Sequence, residues 1–577
     1  MAAGEKLLAE RTALAKSETE KIAAAQDAAQ KAALEQAAAK AEAQRVEAEK
    51  SLAPKAAAVK AAIDKVAAAK ADADKAATEQ SADEQALAVR SAAITPALDT
   101  AAAAQAEALG GLKPLAAAQW DYDKARQLLW RAGFGGPPDE VERLHAMGLH
   151  AAVDHLVDYH RQPSCDLVFQ PRPPDRPLGY ESLLEPKERE QLDNERTGRE
   201  RAQQAQMRQW WLRRMAESPR PLEEKLTLFW HDHFATGYED KIYQTHLLFQ
   251  QNEMFRQFAD KYDALMRGII RDPAMIIYLD NHTNVKGRNN ENLGREVLEL
   301  FSLGRDQGYT EQDLRELSRS LTGYSYVRHV NQFRFNGSQH DPTPKTILGR
   351  TGDFSPGEAI DIILQHPSTA RYIARKLFEF FVHPDPGDEV VERLARVLRE
   401  NDYELGPMLK NLFLSEVFYG DPARGQHIKS PVELMVGTVR SLKIAGVNWG
   451  QVDHELQNMG MTLFQPPNVG GWEEGRTWVS ANRIMLRYNG VANLVERPEV
   501  DAAALVEAKA VTAEQIVDRF ARACLAVPLD PPQRQRLIEF VGDLPPADQW
   551  AAQRNAINAR LRAMLVLMMS IPEYQVS

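Results

Sequence analysis

No aromatic residue precedes Trp120 in this chain of 577 residues, and that absence divides what its two parts can become. A packed core draws much of its buried area from large apolar and aromatic side chains, so residues 1 to about 118 are poorly supplied to build one. They are alanine interspersed with Lys, Glu, Gln and Asp, with proline only at Pro54, Pro96 and Pro114. These residues are strong helix formers. Pro54 disfavours helix at Ala53 and marks a bend. The segment therefore reads as one helix up to about residue 50, a turn, and a second helix from Lys55 to about Arg90. Its larger apolar residues, among them Leu7, Leu14, Ile22, Leu34, Val46, Val59 and Ile63, are sparse, so any seam is a thin alanine-type coiled coil. Residues 1–118 are expected to be a coiled-coil hairpin acting as a spacer or stalk, or docking a protein partner. Gly110, Gly111 and Pro114 then make a linker.

From residue 119 to 577 aromatics appear and apolar residues recur at helical spacing, which predicts a mainly α, large multi-helix domain. Leu128, Leu129 and Ala132 suit a helix stopped by the Gly133–Pro138 run. A Pro-, Arg- and Glu-rich stretch from Pro171 to about Arg201 reads as a loop entering a charged helix, and Ser218 to Pro221 parts two further helices. Asp272 before Pro273 is a cap and first-turn pair, and Thr310 with Asp313 resembles a capping box ahead of Leu314, Leu317 and Leu321, with Gly323 as the stop. Only Ser325 to Arg350 differs. There aromatic and β-branched residues alternate with polar ones around an Asn336-Gly337 turn, predicting one small β-hairpin.

The balance of 70 basic and 81 acidic residues leaves a net charge of −11, without the basic field that captures phosphate backbones; nucleic acid is not an expected partner. Cys165 and Cys524 exclude a disulfide framework and leave one long-range bridge open. No window supplies the ~20 apolar residues of a membrane span. The start, MAAGEKLLAERTALAKSETEK, has no apolar stretch after a basic one, so no signal peptide is expected in this chain.

The blocks RAGFGGPPDEV (131–141), FWHDHFATG (229–237), DPAMIIYLDN (272–281), NNENLGREVLELFSLG (289–304), GYTEQDLRELSRSLTGY (308–324), HDPTPKTILG (340–349), HPSTARYIARKLFEFFV (366–382), KSPVEL (429–434) and FQPPNVGGW (464–472) resemble, in this order, the signature of the bacterial domain of unknown function 1800 family. The resemblance covers about 121–577. It implies a helical protein that is periplasmic, secreted or envelope-associated, and gives no activity. The chain departs from the pattern in reading NLGRE within 289–304 and in carrying Pro342 and Thr343 in HDPTPK, and the export signal usual in the family is not expected from its start.

Candidate chemistry rests on polar groups beside apolar helix faces. His231 and His233 lie two residues apart, hence ~200° apart on a helix at 100° per residue, so one ion reaches both only at a frayed end. The alternative is structural capping or core hydrogen bonding. On the helix expected over Asn289–Arg305, capped by Asn289 or Asn290, Glu291, Arg295 and Glu299 share a polar side, and Glu296 sits at the edge of the apolar side formed by Leu293, Val297, Leu300 and Phe301. Glu296 is thus the carboxylate expected to be partly buried. An internal ion pair with Arg295 is the plainer reading of this helix; the functional one makes Glu296, Arg295, His340 and Asp341 catalytic. Asp280, His231, His233, Glu296 and His340 then form the candidate ligand set for a divalent metal, with His282 nearby. No GxSxG, Walker, HExxH or CxxC pattern is present, and the Gly133–Pro138 run follows a helix and is rejected as a phosphate cradle.

Two function classes stand. One is a noncatalytic binding or assembly protein of the envelope, with the coiled coil as docking or spacer element. The other is a metal-assisted hydrolase with an interhelical polar site. Whether the chain is an enzyme is left open by its sequence.

Overall fold

The computed structural model of the protein describes residues 112–172, 184–238, 241–327, 330–473, 475–506 and 512–577. The helical hairpin expected before residue 90 and the linker glycines lie outside the described residues. The end of the expected linker lies inside them, stitched to the helical domain. The Lys113 carbonyl accepts the Glu416 amide at 2.7 Å, the Leu115 amide donates to the Leu414 carbonyl at 2.8 Å, and the Leu115 side chain is buried.

Twenty-two α-helices and two short antiparallel strand pairs make up the regular structure of the described residues, apart from single turns of 3₁₀ helix. Local chemistry accounts for many helix starts. Asp272 accepts the Met275 amide at 2.9 Å with Pro273 in the first turn. Thr310 and Asp313 exchange reciprocal bonds, Asp313 amide to Thr310 Oγ1 at 3.2 Å and Thr310 amide to Asp313 at 2.8 Å, and Gly323 ends that turn with φ of 81°. Ser355 with Glu358, Ser430 with Glu433, and Thr512 with Gln515 repeat the device. Among the described residues no helix is long and apolar enough to cross a membrane.

The helix expected over Asn289–Arg305 is shorter, Asn292–Glu299. Asn290 serves its start by accepting the Asn292 amide at 3.0 Å. Its end widens as Phe301 and Leu303 bond back five residues, to Glu296 and Leu298, which terminates the α ladder. The expected hairpin is found as two pairs. Tyr324–Val327 pairs with Gln332–Phe335, and Lys345–Ile347 with Arg350–Gly352. Asn336-Gly337 is not their turn; Asn336 caps a single 3₁₀ turn instead. The second pair turns at Leu348 and Gly349, both at positive φ (48° and 77°), the geometry that matches strand twist in a two-residue loop.

Two clusters of buried apolar side chains fill the domain. One gathers Leu128, Trp230, Phe234, Phe301, Leu377 and Phe413; the other gathers Trp211, Val436, Phe464, Trp478, Leu494 and Met564. The helix Pro221–His233 feeds both, with Leu222, Leu226 and Trp230 in the first and Leu228 in the second. Every residue of this helix is buried except Asp232. Glu223, Glu224 and Lys225 are therefore buried charges, and a buried charge must be paired. Glu224 accepts Arg256 Nε at 2.9 Å and Trp211 Nε1 at 3.0 Å, and also pairs with Arg214. Lys225 pairs with Glu433 at the start of the Pro431–Ser441 helix. That second pair forms the floor of the candidate site.

Candidate functional site

A cleft of about 240 Å³ opens where the end of the Pro221–His233 helix meets the end of the Pro367–Phe381 helix, the segment 426–433 and the loop around 461–478. Its walls combine apolar Leu228, Phe380, Ile428, Met461, Trp472 and Trp478 with polar Asp232, Glu379, His383, His427, Ser430 and Glu433. This mixture, an apolar concavity with a few convergent polar groups, is the usual make-up of a small-molecule site.

Glu433 is held from several sides. Lys225 donates to Oε1, and the Ser430 amide donates to Oε2 at 2.7 Å. Burial alone would raise its pKa, but the Lys225 ammonium overrides this and holds the carboxyl below its usual range. Lys225, itself 1 % exposed, lies 5.0 Å from the centre of the Phe134 ring and 5.4 Å from that of Phe380, a cation–π setting. An ionised Glu433 accepts only, so His427 Nε2, 3.1 and 3.0 Å from its two oxygens, carries the proton. The Nδ1 of His427 is then the basic atom. A carboxylate that fixes a histidine tautomer in this way is the orienting part of a general-base pair.

Asp232 and His383 complete the polar wall. The Trp472 amide donates to Asp232 Oδ1 at 2.7 Å. Gly471 makes that approach possible: its φ is 83°, and a Cβ there would collide with the carboxylate and carbonyl of Asp232. His383 accepts the Asp385 amide at Nδ1 (3.3 Å), so its Nε2 bears the proton, and that buried nitrogen has no hydrogen-bond partner. Burial pushes the His383 pKa down, keeping the ring neutral. The polar groups of the cleft wall are therefore mainly acceptors, and the His383 Nε2 lies buried behind it.

The sequence-derived candidates occupy other places. His231 accepts the Phe464 amide at Nε2 (2.9 Å) and packs against Trp211, Phe464 and Trp472. His233 donates from Nε2 to the Phe301 carbonyl at 3.1 Å, stacked on Phe229. The two imidazoles bond to different parts of the core, and burial pushes both pKa values down to about 3. Asp280, at φ 56°, pairs with Lys241, and His282 meets the Tyr326 ring edge-on. Arg295 reaches Glu299 at 3.1 Å and Glu311 at 3.3 Å. Glu296 is half-buried, its pKa raised by burial and by Glu299. His340 donates from Nδ1 to the Thr322 carbonyl at 2.9 Å; Asp341 accepts Arg319 Nε at 3.0 Å and Thr343 Oγ1 at 2.6 Å. Against its burial, those bonds hold the Asp341 carboxyl well below the usual range. His340 and Asp341 therefore share a loop network through Thr322, whereas Glu296 is influenced by the charges of Glu299, Arg305 and Arg295. Among the described residues, no three His, Cys, Asp or Glu side chains are gathered to hold one metal ion. Cys165 and Cys524 are both free thiols.

The cleft residues His427, Glu433, Glu379 and His383 were not singled out by residue type, because each looks ordinary in its own segment. The signal was in the ordered blocks. Asp232 belongs to FWHDHFATG, Glu379 to HPSTARYIARKLFEFFV, Ser430 and Glu433 to KSPVEL, and Trp472 to FQPPNVGGW, and these four blocks meet at one cleft. No curated protein and no solved structure matches the chain at a significant level. A family model does match, over residues 127–576, and the chain belongs to that family, the proteins of unknown function designated DUF1800.

Proposed function

We propose that the helical domain binds a small organic ligand in the Asp232–His427 cleft, with His427 as the group that takes a proton from it. The observation that carries this reading is the convergence of four sequence blocks on one concavity. Its chemistry narrows the ligand. Asp232, Glu379 and His427 Nδ1 are acceptors, while Phe380, Met461, Trp472 and Trp478 give an apolar wall. The fitting occupant carries hydroxyl or ammonium donors on a compact apolar body. An oriented base beside further acceptors is also one half of acid–base catalysis.

In this reading the protein is a binding protein of the envelope, as its family resemblance implies, and the alanine-rich segment 1–118 spaces it or docks a protein partner. The alternative, metal-assisted hydrolysis, requires at least three donors about one point. The acid–base reading requires none and is the better supported.

The test is a thermal-shift and tryptophan-fluorescence screen of the full chain against polyols and primary amines. A member of one class should raise Tm and change the emission of Trp472 and Trp478, and the response should be lost in Asp232→Asn and His427→Ala. Neither variant removes the Lys225–Glu433 pair, so both should fold. Failure of both classes to bind, or binding indifferent to both substitutions, overturns the proposal.

A further inference from the structure

A second cleft of about 240 Å³ lies away from the first, lined by Asp123, Arg126, Arg424, Asp518, Arg522 and Arg534 among apolar neighbours. It holds four guanidinium groups and two carboxylates. Asp518 is fully engaged by Arg534, with bonds of 2.6 and 2.7 Å to its two oxygens. Asp123 is left to balance the other three. It lies 3.6 Å from Arg126, 3.8 Å from Arg522 and 4.0 Å from Arg424. Charge-assisted bonds close to ~2.7–2.9 Å, so none of the three is drawn into a formed bond with it.

The three guanidiniums are instead positioned by other contacts. Arg126, 5 % exposed, donates to the Arg522 carbonyl. Arg424 donates from Nε to the Ala526 carbonyl at 3.3 Å, and Arg522 lies over the Tyr122 ring at 4.2 Å. Three fixed like charges around one distant carboxylate repel one another. A further anion relieves that repulsion, and the planar forks of arginine suit an oxyanion with several acceptor oxygens.

The geometry points to this cleft as a binding site for a multivalent oxyanion of the phosphate type, held by Arg126, Arg424 and Arg522. Asp123 is its internal competitor. The site is independent of the Asp232–His427 cleft and of any function assigned there.

Isothermal titration of the full chain with inorganic phosphate tests it, with sulfate as a second arm and sodium chloride at matched ionic strength as the reference. A single saturable site is expected, weakened about tenfold or more in Arg424→Gln/Arg522→Gln and tightened in Asp123→Asn, where the competitor is gone. Both arginines are partly exposed, and Arg522→Gln alone gives a milder second variant whose circular dichroism reports folding. Sulfate binding equal to phosphate marks a general oxyanion site; phosphate alone marks a site selective for phosphate. No heat beyond the chloride reference, affinity unchanged in both arginine variants, or weaker binding in Asp123→Asn overturns the inference.

Discussion

The Phe464 amide donates to Nε2 of His231 at 2.9 Å, across 233 positions of sequence. The next residue, Asp232, accepts the amide of Trp472, and the Tyr238 amide donates to the Phe464 carbonyl at 2.9 Å. One short block at a helix end thus clasps a distant loop by its backbone, and the cleft forms beside the clasp. His231 is an acceptor in this arrangement and stays one only while it is neutral.

That requirement gives a pH dependence. His231 and His233 ionise near 3 in the folded chain, against ~6.5 for an ordinary histidine. Between these values the unfolded chain binds protons that the folded chain refuses, so stability is complete above about pH 6.5 and is lost as pH falls through the window. Each histidine contributes a slope of about 1.4 kcal/mol per pH unit there. Urea unfolding at about pH 7.5 and pH 5.5 should show a loss of about 2.7 kcal/mol for the two together. His231→Gln keeps an acceptor for Phe464 and should recover about 1.4 kcal/mol of that loss. An unchanged loss would show that His231 does not titrate on unfolding.

The helical character and many helix starts were legible in local chemistry: Thr310 with Asp313, and Asp272 with Pro273, behave as their sequence demands. Features decided at long range were not. Leu348-Gly349 turns a hairpin because strand pairing over 345–352 forces it, while the stronger local signal, Asn336-Gly337, is used for a cap. The cleft residues were hard to read for the same reason. Glu296, His340 and Asp341 stand out by type and neighbourhood, yet His340 and Asp341 are engaged by local partners and Glu296 sits among the charges of Glu299, Arg305 and Arg295. His427 and Glu433 acquire their roles only when Lys225, two hundred residues earlier, is buried beneath them.

Glu296 should respond to substitution in the opposite sense to a residue stranding a partner. Burial and the neighbouring Glu299 disfavour its ionised form, so at neutral pH the folded state carries a charge it would rather lose. Glu296→Gln should be neutral or stabilising by up to ~1 kcal/mol. Glu299, which bonds Arg295 with its side chain 17 % exposed, should cost about 0.5–1 kcal/mol when changed to Gln. Chemical denaturation of the two variants checks the order, and a loss of ~2 kcal/mol or more at Glu296 would restore it as a site carboxylate.

The alanine-rich segment should be dispensable for folding of the remainder, but the cut must respect Leu115. A chain beginning at Leu112 should melt cooperatively at the Tm of the full protein. One beginning at Gln119 loses the Glu416–Lys113 and Leu115–Leu414 backbone bonds and the buried leucine, at about 2–3 kcal/mol. Calorimetry of the two separates the outcomes; equal Tm values would mean that residues 112–118 pack without contributing.

Lys225 and Glu433 should behave as a unit when tested by a double-mutant cycle. Both are buried, and each neutralises a charge that water cannot reach. Lys225→Met keeps the volume but removes the cation that bonds Glu433 directly beneath the cleft, which should cost about 3–5 kcal/mol. Glu433→Gln removes the carboxylate that bonds the buried Lys225 ammonium and should also be destabilising. With both changes neither member of the pair remains charged, so the double variant should be more stable than either single one, with a coupling of ~2 kcal/mol or more. The same double variant discards the carboxylate that orients His427, so ligand binding in the cleft should stay lost even where stability returns. Additive losses in the cycle would mean that the two charges are solvated separately, and the cleft would then have no fixed base.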